Sequence, residues 1–298
     1  MRSVGALGAV QLVLAVQLVL MHAHTNDDEL AVFRSHGAEG VLLLGGGAAI
    51  LLQLADPRVA RGVARHSGFR ERPLDRLIGT LDYVYAIGFG DDELAAEAVR
   101  TVNRRHAPVR GDAEGSRPAY NAFDADAQRW VASTLLAVAL GLHERLEGPL
   151  PEVTADVIVR GYAPLGMRLQ AAGEGWPETR AEFDAWWAEQ LGALEVGDDA
   201  RAVARSLLTG TSALPFGAGL LLPLVRLMTA ALLPVPVREA YGFRWTPRVE
   251  RVANGWLDAI AVIWPTLPRA IRHAPMRASL RRAKRRSRYA GTEQRGRR

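Results

Sequence analysis

Histidine 106 is the residue of this chain best placed for cofactor chemistry. It closes a helical pattern in residues 101–111, TVNRRHAPVRG. Val102, Val99, Ala98, Ala95 and Leu94 precede it by 4, 7, 8, 11 and 12 residues, which is one face of a helix. A histidine aligned with an apolar stripe is aimed inward, where it either joins the core or serves as a ligand. The chain has no cysteine. Thiolate nucleophiles, disulfides, iron–sulfur clusters and thiolate-held zinc are therefore excluded. No group of metal ligands clusters in the sequence, so His106 is the best candidate for a cofactor ligand.

A second signal lies on the helix expected over 73–88. Its main apolar face is Leu74, Leu77, Ile78, Leu81 and Tyr85, and its opposite face carries Arg76, Thr80, Tyr83 and Ile87. If that second face lines a pocket, Arg76 can bind a carboxylate and Thr80 can hydrogen-bond a ligand. If it faces solvent, Arg76 pairs with a carboxylate such as Asp82 or Glu71. The other motifs are weaker. Gly45-Gly46-Gly47 lacks the later glycine of a dinucleotide loop, because position 50 is Ile50, and no Gly-Lys-Ser/Thr follows. A helix start or close helix packing is the expected use of these glycines. His66 suits a cap or a structural hydrogen bond, and His143 and Glu144 are expected near solvent. No spacing suggests a hydrolase triad.

These residues need helices to hold them. Asp56 and Pro57 start a helix over 57–66. Asp91 and Asp92 start another that ends by 107, before Pro108. Residues 124–147 form a long helix, nearly all apolar from 130 to 142, which must sit inside a core. Further helices are expected over 152–169, 179–194, 200–209, 219–232 and 248–263. Residues 27–40 read as a polar lead-in and 111–121 as a polar loop. The expectation is one all-α domain over residues 30–275, within a chain of 298 that is 49% hydrophobic.

Both ends depart from the middle. Residues 4–21 are apolar except for Gln11 and Gln17. They read as an anchor or an upstream mis-set start, ahead of a leader core or an extra helix, so 1–29 is treated as an N-terminal extension. From 277 onward the chain holds ten Lys or Arg against one Glu, which makes the rest of the chain net acidic. Such a run is expected to be a disordered basic tail over 276–298, able to touch anionic lipid. No nucleic-acid motif is present. The expected location is cytoplasmic or membrane-associated.

In order along the chain stand Gly45-Gly46-Gly47 with Gln53-Leu54-Ala55-x-Pro57, then Gly62-Val63-Ala64-x-His66-Ser67. Arg76-Leu77-x-x-Thr80, His106-Ala107-x-Val109-x-Gly111 and Trp130-Val131-x-x-Thr134-Leu135 follow, and later Leu233-Pro234, Arg238 and Tyr241-Gly242. This set resembles the oxygenase family of the rubber oxygenases (latex-clearing proteins) and the fungal mycophenolic-acid-pathway oxygenase. The resemblance implies haem b in an all-α, globin-like core, with His106 as the iron ligand and with Arg76 and Thr80 at the pocket; Tyr83, on the same face of that helix, is a further candidate for cofactor contact. Dioxygen and an apolar, lipid- or isoprenoid-like substrate would be its partners. Rubber oxygenases carry a lysine just before the threonine, able to fill the iron's sixth position; here that residue is Gly79, so an open or water-bound position is implied. Asp56 and Ala132 stand where the family often has histidine. No counterpart of the rubber oxygenase's catalytic base is found, so polyisoprenoid cleavage does not carry over. The alternatives are a haem protein without oxygenase turnover, peroxidase-like or a sensor, and a haem-free, membrane-associated helical protein.

Overall fold

A 23-residue helix that is apolar on nearly every side has to be surrounded, and the helix over Ala125–Glu147 is. Trp130, Leu136, Leu140 and Leu142 project from different sides of it and are all buried. The computed structural model describes residues 27–66, 73–171, 175–209 and 218–295. In chain order its helices are α1 (Asp27–Gly37), α2 (Gly46–Leu54), α3 (Pro57–His66), α4 (Pro73–Phe89), α5 (Asp92–His106) and the central α6 (Ala125–Glu147). There follow α7 (Glu152–Met167), α8 (Arg180–Gly192), α9 (Asp198–Thr209), α10 (Leu222–Ala231), α11 (Val235–Ala240), α12 (Pro247–Ile263), α13 (Arg269–Arg272) and α14 (Ala274–Arg295). The only strands among the described residues, β1 (Arg110–Gly111) and β2 (Tyr120–Asn121), pair antiparallel. The fold is a single all-α domain, as expected.

The helix starts obey their caps. Asp91 accepts from the Leu94 amide at 2.8 Å and Asp124 from the Ala127 amide at 2.7 Å. Thr179 and Glu182 form a reciprocal capping box at the start of α8. The triple glycine serves close packing. A Cβ on Gly45 would collide with Val138 of α6, and one on Gly47 with Thr229 of α10. These two glycines let the short 3-10 helix Gly40–Gly45 and α2 lie tightly between α6 and α10.

Several expectations need correction. Residues 27–37 form helix α1 rather than a lead-in; Phe33 anchors it, its ring meeting Tyr162 at 5.8 Å. On α4, Leu77 is exposed while Asp82, Tyr85 and Ala86 are buried, and Tyr83 and Ile87 pack into the core. The expected apolar face is thus only partly in the core: Tyr85 is buried and Ile78 and Leu81 are half-buried while Leu77 is exposed, because α4 is covered by α5, α7 and α14.

The largest correction concerns the basic end. The expected disordered tail is helix α14 through Arg295, laid along α4 and α5. Two buried carboxylates hold it. Glu39 meets Arg272 and His273, each at 3.1 Å, just before α14 begins. Asp82 meets Arg282 and Arg286, each at 3.0 Å, along its length. A run of like charges stays solvated unless the fold offers carboxylates against it, and this fold offers two.

Residues 4–21 lie outside the described residues. Among those described, no single helix is long and apolar enough to cross a membrane; α1 with the segment Gly40–Leu54, bent by 60°, passes only as a pair and by length and composition alone.

Candidate functional site

The short Gly90–Asp91 turn folds α5 back against α4. Gly90 suits that turn, since a Cβ there would collide with the Ala86 carbonyl. The antiparallel register brings Gly79 and Thr80 of α4 to the C-terminal end of α5, where His106 stands. The contact is close: a Cβ on Gly79 would lie 2.6 Å from Nη1 of Arg105. Two segments separated by 26 positions in sequence therefore meet at one end of a helical hairpin. The space beside Gly79 is taken by the Arg105 guanidinium, which spacing alone did not show.

His106 itself is half-buried, with its Nδ1 shielded from solvent. The Phe123 ring stands edge-on to it at 6.4 Å. Thr80 is exposed on α4, and the side chain of Arg76 lies outside the described residues. Tyr83 reaches across to α7, its hydroxyl donating to the Leu165 carbonyl at 2.6 Å. Burial pushes its phenol well above the usual range, so Tyr83 is held there as a neutral donor.

Two networks position the turn that ends in His106, and sequence reasoning found neither. The first is a chain of amides. Asn103, one turn before His106, accepts from Gln170 at 3.1 Å; Gln170 accepts from Gln128 at 2.6 Å; Gln128 donates also to the Ala122 carbonyl at 2.7 Å. It ties α5 to the start of α6 and the end of α7.

The second network is centred on Arg61, which is only 2% exposed. Its guanidinium donates to the carbonyls of Asp112 and Pro118, at 2.8 and 2.5 Å, and meets Glu114 at 3.0 Å. It fixes the loop that follows His106. Tyr120 closes that loop, with its ring against Gly62 and Gly111 and its hydroxyl 2.8 Å from His66. His66 thus makes a structural hydrogen bond. The polar character of Arg61 and Gln128 hid them, since such residues are usually exposed.

Other residues of the ordered motif set are framework. Gln53 donates to Thr134 at 3.1 Å inside the core, and Tyr241 donates to the Leu51 carbonyl at 2.7 Å. Trp130 stacks on Trp187 at 5.1 Å, and the Arg238 guanidinium lies 4.2 Å from the centre of the Trp245 ring. Asp56 caps α3 through the Arg58 amide at 2.7 Å.

His143 is not near solvent: it is buried on α6, 5.1 Å from the His36 ring and 3.9 Å from Glu147. Burial first, and the neighbouring His36 next, hold its imidazole below the ordinary range; Glu147 and Glu39 oppose them more weakly. His143 is therefore neutral in the fold, while the unfolded chain takes up a proton below pH of about 6.5. Its contribution to stability is complete above that pH and is lost as pH falls toward the folded value. Urea midpoints taken from pH 7 to pH 5 are expected to fall less steeply for His143→Leu than for wild type. Equal slopes would contradict this account.

Among the described residues, no group of three or more His, Asp or Glu side chains is arranged to hold a metal ion. A cleft of about 490 Å³ opens on the outer side of α7, lined by Arg160, Met167, Arg168 and Trp176 among others. It includes none of His106, Gly79 or Thr80. Its two cations are engaged, Arg160 with Glu29 at 2.6 Å and Arg168 with Asp92 at 3.4 Å.

Residues 33–263 match the family described as ER-bound oxygenase mpaB/B'/Rubber oxygenase, catalytic domain, and the chain belongs to it. It is similar to two mycobacterial relatives, the uncharacterized protein Mb2261 of Mycobacterium bovis and the uncharacterized protein Rv2237 of Mycobacterium tuberculosis. Each is 32% identical over 171 residues, covering 56% of this chain and 65% of the relative. The chain thus spans somewhat less than two thirds of the length of these relatives. No solved structure matches the chain, so the globin likeness rests on the family resemblance.

Proposed function

We propose that this protein is a haem b-dependent oxygenase acting with dioxygen on an apolar, lipid- or isoprenoid-like substrate, with His106 as the iron ligand. One observation carries the reading. The α4–α5 hairpin gathers an imidazole, a guanidinium, a hydroxyl-bearing residue and a glycine at one helix end, where the family resemblance looks for a haem site. The residues present suit such a group. A single histidine suffices as the protein ligand of a haem iron. The cation of Arg105, with Arg76 as a second candidate, suits the carboxylates that haem carries. Gly79 cannot itself ligate.

When bound, haem b supplies the redox chemistry with dioxygen. The chain's part is to orient and shield. The amide chain on Asn103 holds the last turn of α5, and Phe123 limits how the His106 ring turns. Arg61 keeps the following loop in place, so the imidazole is presented in one direction. Thr80 is the candidate to hydrogen-bond a ligand on the α4 side. Tyr83 supports α4 from the core. Possible membrane contact through the N-terminal segment and the basic end belongs to the same reading.

The test is oxygen uptake by the full chain purified with a haem precursor, followed by product analysis with isoprenoid and unsaturated lipid substrates. Substrate-dependent uptake with an oxygenated product is expected, from a ferric form that is high-spin or water-ligated. A chain that takes up haem yet consumes no oxygen with any of these substrates would overturn the oxygenase reading in favour of a non-turnover haem protein. A chain that takes up no haem would overturn both.

A further inference from the structure

Helix α12 has two apolar faces and only one of them is used. Ala253 and Leu257 face inward, packed with Met228 of α10 and Leu142 of α6. At about 100° per residue, Val252, Gly255, Trp256, Ala259, Val262 and Ile263 share an outward arc, and each of them is exposed. Val262 is 72% and Ile263 57% exposed, and even Trp256 is half uncovered. A Cβ on Gly255 would meet nothing within 4 Å. Exposed apolar residues also stand on elements before and after α12 in the chain: Leu220 and Leu221, before α10, are 86% and 60% exposed, and Ile271 on α13 is also uncovered. A soluble surface scatters such residues singly; a stripe of them along one helix marks a contact face.

The charges around the stripe indicate what it contacts. Arg248 lies within the arc and Arg251 at its edge, and among the described residues neither pairs with a carboxylate. The one acid on that edge, Asp258, is neutralised by Arg145 at 2.7 Å. The rim of the apolar stripe is therefore cationic. A second copy of the same face would bury Arg248 against apolar residues without a counter-charge, which is unfavourable. An anionic lipid surface instead gives each arginine a phosphate, while Trp256 and the aliphatic side chains enter the boundary between headgroups and acyl chains.

We infer that the outer face of α12 docks this protein on the surface of an anionic bilayer. The face lies on α12, not on the α4–α5 hairpin that carries His106, and the inference does not depend on haem. It would let an apolar substrate reach the enzyme from the lipid phase.

The absence of cysteine makes a direct test simple. Val262→Cys in the full chain is labelled with an environment-sensitive fluorophore and mixed with vesicles of phosphatidylcholine, with or without phosphatidylglycerol. Glu189→Cys on α8 serves as the control. A blue shift and a several-fold rise in emission at position 262, with the anionic vesicles only and reversed by high salt, is the expected result. The full chain carrying Trp256→Ser and Ile263→Ser should keep its circular dichroism and melting curve yet co-sediment several-fold less with those vesicles. Unchanged emission at 262 while the chain still sediments would overturn the proposal and move the contact to a chain end. A shift that needs no vesicles but grows with protein concentration would overturn it in favour of a second copy.

Discussion

The His106→Ala chain, expressed beside wild type with a haem precursor, is expected to purify without a Soret band. His106 ends α5 in a turn held from three directions: by α4 through Gly79 and Arg105, by the Asn103–Gln170–Gln128 amides, and by the loop that Arg61 fixes. These ties run through the residues around it, so His106→Ala is expected to keep the fold, with a melting curve and circular dichroism close to those of wild type. On the proposed reading His106 is the protein ligand of the iron, and losing such a ligand would lower haem affinity far more than losing a pocket contact. Added imidazole should restore the band, since the alanine leaves room for a free ligand. A full Soret band in His106→Ala, unaltered in position, would show that another residue holds the iron and would sink the assignment. A variant that fails to fold is recognised by its melting curve, and His106→Gln, closer in size, then carries the test.

Glu39→Gln is expected to lower stability by about 3 kcal/mol, the scale seen when one partner of a buried ion pair is removed. That corresponds to a melting temperature lower by roughly 5 °C for a chain of this size. The Glu39 side chain is 8% exposed. Its two oxygens accept from Trp264 at 2.8 Å and from His273 at 3.1 Å, and the Arg272 guanidinium sits at 3.1 Å. Glutamine keeps the shape and the bond from Trp264. It leaves Arg272 mostly buried without its counter-charge, and one of its amide hydrogens points at a neighbour that also donates. Because this knot lies where α14 begins, its loss should free α14 from α4 and α5, visible as faster amide exchange along both site helices. A change below about 0.5 kcal/mol, typical of surface substitutions, would mean that Asp82 alone keeps α14 in place.

The helical skeleton was legible in the sequence because its signals are local. Proline and aspartate at α3, the Asp91 and Asp124 caps and the apolar run of α6 each act within a turn or two of the residue that carries them. The helix starts at Pro57 and Asp92 and the inner position of α6 followed from these signals. So did the packing use of the triple glycine, since no phosphate-binding pattern accompanied it. His106 stood out for the same reason: its distance from each apolar residue of α5 is a property of one helix.

What the sequence could not decide depended on partners far away in the chain. α14 reads as a disordered tail because ten basic residues lie together; only the arrival of Glu39 and Asp82, both more than 190 positions earlier, makes it a helix of the fold. Leu77 is exposed and Tyr83 packs into the core because α14 and α7 cover α4 from directions no periodicity encodes. His143 was expected near solvent, and nothing in the sequence singled out Arg61 or Gln128; all three are buried where carbonyls, amides or a second imidazole meet them. The sequence by itself determined which segments are helical and where an inward histidine stands. Tertiary structure alone decided which charges are buried, which helix covers the site, and which apolar stripe, that of α12, is left without a partner among the described residues. Backbone and capping energies are local, whereas the cost of burying a charge is set by whatever the whole fold places beside it.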